Sequence, residues 1–156
     1  MTKIPLTDAI WSRLYGPYGA RDVAATLADL SDGWDESIAS ELYWNRLHHQ
    51  DDIYPVTFAA LPWLWEVTPA SENGKIERLY FFSHVMACAF RSAPFRAQVD
   101  GSKRDLNGLS LRAKDHHRHW IAPEFWLTET DMSRLAELRD WLMSNAQIIA
   151  EECICH

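Results

Sequence analysis

Residues 44–65 restrict what this chain can fold into more than any other stretch. Trp44-Asn45-Arg46-Leu47-His48-His49-Gln50 leads into Asp51-Asp52-Ile53, and then into Tyr54-Pro55-Val56-Thr57-Phe58-Ala59-Ala60-Leu61-Pro62-Trp63-Leu64-Trp65. Tyr54, Phe58, Leu61 and Trp65 recur at i, i+4, i+7 and i+11, the spacing of an apolar stripe on a helix and not the alternation of a strand. Such a face has to be buried against another element. The spacing therefore predicts two helices joined by a short turn at 51–53.

The remaining chain punctuates in the same way. Thr7 and Asp8 cap a short first helix carrying Ile10, Trp11 and Leu14, which Gly16-Pro17 ends. Val23, Leu27 and Leu30 mark a second helix from about Ala20, closed by Ser31-Asp32-Gly33. A third runs from about Asp35 to His48, with Trp34, Ile38 and Leu42 inward. The fourth is Tyr54 to Val67, with Pro62 expected to kink it or end it early. After a loop at 68–74, Ile76 to Phe90 is apolar almost all round, which predicts the central helix. From 97 to 120 the pattern lapses into turn signals such as Asn107-Gly108, so a long loop is expected. Thr128-Glu129-Thr130-Asp131 then caps a long amphipathic last helix through Leu135, Leu138, Leu142 and Ile149. The reading is an all-α chain of about six helices in a single domain spanning 1–156.

Charge narrows the range of partners. The 22 acidic residues outnumber the 15 basic ones, for a net charge of −7. Nucleic-acid affinity comes largely from Lys and Arg neutralising phosphates, so a basic protein is the better match. No apolar run approaches the roughly 18 residues of a membrane span, and the N-terminus has no leader-like apolar core. Three cysteines, with Cys153 and Cys155 one residue apart, do not make a disulfide framework. A cytoplasmic location is the expectation.

Helices three and four with their junction resemble one unit of the bacterial HEAT-like α-helical repeat proteins. The residues that carry the resemblance are Trp44 and Leu47, His49-Gln50, Tyr54, Ala59-Ala60 and Leu61-Pro62-Trp63-Leu64. The turn departs from the pattern, with Asp51-Asp52-Ile53 where small residues are usual. The resemblance implies an α–α superhelix of HEAT/armadillo type, and some proteins of this group are thought to be immunity proteins that neutralise secreted toxins. It implies no activity.

Chemistry is less marked. His116-His117-Arg118-His119, after Asp115, is the sharpest candidate for a metal or acid–base site, with Cys153, Cys155 or His156 as additional soft ligands. His48 with Asp51 or Asp52 offers an acid–base pair that nothing completes. Ser83-His84 lies on the most apolar helix, where a histidine is a hydrogen-bonded core residue, and Cys88 reads as a small core residue. No phosphate loop, dinucleotide fingerprint, nucleophile elbow or H-E-x-x-H is present, and no cofactor is expected. Trp63 and Trp65 stand 200° apart on one helix, so one faces the core and the other requires a different neighbour, for which a partner is one candidate. The leading expectation is a non-enzymatic protein-binding module of immunity type, meeting a basic partner through Asp51, Asp52, Trp63 and Trp65. The alternatives are a metal-dependent hydrolase using His116, His117 and His119, and a self-associating structural domain.

Overall fold

A computed structural model describes residues 3–17, 22–49, 52–100 and 127–154. The fold is all-α. A 3₁₀ turn, Ala9–Ser12, is followed by α1 (Val23–Asp32), α2 (Glu36–Glu41) with a π turn at Leu42–Arg46, α3 (Pro55–Val67), α4 (Glu72–Asp100) and α5 (Glu129–Ile154). Short two-residue strands, β1 (His48–His49) and β2 (Asp52–Ile53), pair antiparallel, His48 opposite Ile53 and His49 opposite Asp52. No helix among the described residues is long and apolar enough to cross a membrane.

Capping chemistry sets the starts of these helices. Asp8, Asp22 and Asp35 each accept a backbone N–H of the first turn, from Ile10, Ala25 and Ile38, supplying partners that the helix itself cannot. At α5, Thr128 and Asp131 exchange backbone-to-side-chain bonds of 2.9 and 3.1 Å, the capping box expected from T-x-x-D. At α3, buried Thr57 accepts from the Tyr54 N–H at 3.0 Å and donates its hydroxyl proton to the Leu47 carbonyl, tying the new helix to the end of the preceding turn.

The central helix is α3, not the Ile76–Phe90 segment. Nine of its residues, including Val56, Phe58, Ala59, Ala60, Leu61, Pro62 and Leu64, are buried. It carries no charge before Glu66, and its Ala pair lets neighbouring elements approach closely. α4 is instead two-faced: Leu79, Phe81, Phe82, Val85 and Cys88 are buried, while Ile76 and Tyr80 are exposed. α1 and α5 pack against α3, and α5 also packs along α4. A single apolar cluster runs from Ile4 through α3 to Ile149.

Several boundaries differ from expectation. Pro62 does not end α3, which continues to Val67. α4 begins at Glu72 and absorbs the turn-like Asn73-Gly74 into its first turn, and it reaches Asp100, past the expected loop start at 97. Ile38 is exposed, because α2 is short and the π turn re-aims the chain after it. The third helix ends at Arg46 instead of His48. Its last turn closes i→i+5, with Leu47 N–H donating to the Leu42 carbonyl at 3.1 Å, and Leu42, Tyr43 and Leu47 are all fully buried. Such bulges are frequent at functional sites. Gly16 fits against this turn because a Cβ there would lie 2.4 Å from the Arg46 carbonyl oxygen.

Candidate functional site

Where the π turn hands over to β1, the chain delivers His48 onto the side of α4. The Nε2 atoms of His48 and His84 are 2.7 Å apart, and the two rings meet edge to face with centroids 4.3 Å apart. Cys88, one helical turn beyond His84, brings its Sγ to 3.5 Å from the same Nε2. His48 and Cys88 are buried and His84 is half-buried. At 2.7 Å two imidazole nitrogens share a hydrogen bond, so one ring carries the proton there and the other accepts it.

Aromatic walls surround the cluster. Trp44 stands edge-on to His48 at 5.8 Å and to His84 at 5.9 Å, and also contacts Phe81 at 5.5 Å and Tyr80 at 5.3 Å. Tyr43 stacks on Phe81 at 4.7 Å and bonds the Thr68 hydroxyl at 3.1 Å. Burial pushes the Tyr43 phenol up to about 12, so it stays a neutral hydroxyl. Tyr80 lies at the outer edge, 66% exposed, with Ile76 one turn before it at 48%.

The expected contact residues lie elsewhere. Asp52 is on β2, and Asp51 lies outside the described residues. Trp63 is half-buried, donates its indole N–H to the Ile4 carbonyl at 2.9 Å and has Lys3 Nζ 4.1 Å above its ring. Lys3 is itself ion-paired with Glu66. Trp65 packs on Phe82 at 5.2 Å beneath the Arg78 guanidinium, 4.2 Å from the ring centroid. Arg78 donates to the Trp65 carbonyl and reaches Glu152 on α5. Thus the different neighbours required by the 200° separation include the N-terminal segment for one indole and α4 for the other. Asp115, His116, His117, His119, Cys155 and His156 lie outside the described residues, and Cys153 is on the last turn of α5.

The His48–His84–Cys88 grouping is not evident from the sequence, where His48 pairs with the aspartates of the turn and His84 and Cys88 read as core residues. One signal is legible: His84 and Cys88 are four apart on a helix and share a face. The approach of His48 is a tertiary event that no local pattern encodes. Comparison with protein-family models, with curated proteins and with solved structures finds no match for the chain.

Proposed function

We propose that this chain is a non-enzymatic protein-binding module of helical-repeat type, acting in the cytoplasm as an immunity-type protein that holds a basic partner such as a toxin domain. The observation that carries the reading is the exposed pair Ile76 and Tyr80 on α4, backed by half-buried Trp44. Large apolar side chains left outside a filled core are the usual anchors of an interface, and tyrosine and tryptophan dominate its energetics. Charges beside the anchors are mixed: Glu72 and Glu77 share α4 with Lys75 and Arg78, and Glu41, three residues before Trp44, is paired with Arg46. Over the whole chain the net charge of −7 steers a cationic surface and repels an anionic one. The Asp51-Asp52 pair, close in sequence to His48 and His49, adds to that acidic character.

The test is affinity capture from the native organism with wild-type bait, a Tyr80→Ala/Ile76→Ser variant and an Asp51→Lys/Asp52→Lys variant. A stoichiometric basic protein, retained by the wild type, lost by the first variant and bound more slowly by the second, supports the reading. Capture that is indifferent to Tyr80 and Ile76 overturns this surface, and a wild-type bait that retains no basic protein overturns the function.

A further inference from the structure

We infer that His48, His84 and Cys88 form a binding site for a single transition-metal dication of the zinc type. The three side chains offer one ligand atom each, and these atoms all lie within 4.8 Å of one another. Tetrahedral zinc with Zn–N near 2.0–2.1 Å and Zn–S near 2.3 Å sets its donors roughly 3.3 Å apart for N···N and roughly 3.6 Å for N···S. The His84 Nε2 to Cys88 Sγ separation of 3.5 Å is already close to that value. The His48 to His84 separation of 2.7 Å has to open by only roughly 0.6 Å to reach it, a small swing of two rings.

The short N···N distance is informative in itself. Two imidazole lone pairs cannot face each other at 2.7 Å without a positive centre between them. A shared proton fills that place in the metal-free protein, and a dication fills it better because it also engages the thiolate. On binding, the ring that carried the shared proton changes to its Nδ1–H tautomer by exchange with solvent, the thiol proton is released, and the two Nε2 atoms and the thiolate sulfur donate their electron pairs to the metal. No oxidation or reduction is involved.

Donor chemistry sets the preference. Two imidazoles and a thiolate suit zinc and its neighbours and discriminate against calcium and magnesium, which take oxygen. Trp44, edge-on to both rings and itself backed by Phe81, holds the imidazoles in place. Three protein ligands leave a fourth position for water. Bound there, the ion fastens β1 to α4 across 36 residues of chain, at the foot of the face that carries Tyr80. Metal binding at these three residues does not depend on the proposed partner.

The experiment is a titration of the chelator-stripped full chain with Zn²⁺ by calorimetry and with Co²⁺ by absorption. A background variant, His116→Ala/His117→Ala/His119→Ala/Cys153→Ser/Cys155→Ser/His156→Ala, removes the other candidate histidine and cysteine ligands. The expected result is one equivalent per chain with a thiolate-to-cobalt charge-transfer band, retained in the background variant. In Cys88→Ser the band should vanish and affinity fall at least tenfold, and in His84→Ala the fall should be of the same size. Circular dichroism of each metal-free variant confirms that it is folded, and a conservative His84→Gln keeps the test open should His84→Ala not fold. Absence of binding by the wild type overturns the site, as does binding that follows the background substitutions instead of Cys88 and His84.

Discussion

Two of the polar contacts that bridge distant parts of this chain are built on opposite terms. Arg13 grips Asp131 with two parallel bonds of 2.8 and 2.7 Å, joining the N-terminal turn to the start of α5. A second pair, Arg134 with Asp8 at 3.0 Å, crosses the same junction in the reverse sense. Every charge in that clamp meets its opposite, and Asp131 also caps its own helix. The His48–His84–Cys88 contact instead joins groups that are all metal-ligand donors, with one shared proton between the two rings. The first arrangement is complete as a protein contact. The second is equally complete with a cation in place of the proton, and that difference separates a structural junction from a site.

The clamp should dominate stability. Asp131→Ala strips the partly exposed Arg13 of its carboxylate and α5 of its cap, and losing the charge-assisted bonds together with the cap should cost about 2–4 kcal/mol. Chemical denaturation reads it directly, and a loss no larger than that of His84→Ala would erase the contrast. The clamp also has a pH signature. Burial alone would raise the Asp131 carboxyl, but the Arg13 bonds and those from Thr128 outweigh it and hold the group below the ordinary aspartate range. The backbone N–H of Ile10 leads the causes that do the same for Asp8. A depressed folded pKa means stability that is present above the unfolded value of about 4 and lost as pH falls through the folded value. Denaturation midpoints measured between about pH 5 and 2 should therefore fall steeply in the wild type and more gently in Asp131→Asn.

Smaller effects are expected at the histidines. His84→Ala, without metal, removes the partner of a buried ring nitrogen and should cost about 1–3 kcal/mol. The double variant His48→Leu/His84→Leu replaces both partners by apolar groups and should lie within about 1 kcal/mol of the wild type, since a paired polar contact and an apolar one of similar shape are nearly equivalent. A double variant much worse than the single one would mean that the cluster is there for stability after all.

How much of this is legible in the sequence depends on the range of the interaction. The stripe Tyr54, Phe58, Leu61 and the T-x-x-D cap of α5 are local, and spacing alone reveals both. The prominence of α3 over α4 is hidden, because apolar content does not show which side chains stand outside the core. Small Ala59 and Ala60 make α3 the element others close upon, whereas Ile76 and Tyr80 leave α4 one outward face. The π turn is equally hidden, since nothing in Leu42–Arg46 distinguishes an i→i+5 turn from an ordinary one. It is decided by the joint burial of Leu42, Tyr43 and Leu47. That turn is also what takes His48 out of the helix and onto α4. The sequence therefore displays the His84–Cys88 half of the site and not its third member.

The most direct measurement of the central claim, that the histidine–cysteine contact is a site and the clamp is not, is the melting temperature of the metal-stripped chain with and without Zn²⁺. At a free concentration about one hundred times its dissociation constant the ion adds about 2.7 kcal/mol to the folded state, which for a chain of this length raises the midpoint by roughly 5–10 °C. That rise is expected in the wild type, in the variant with the other candidate metal ligands substituted, and in Asp131→Asn, and it should be no more than about half as large in Cys88→Ser. A midpoint that zinc leaves unmoved in the wild type, or moves equally in Cys88→Ser, would contradict the claim.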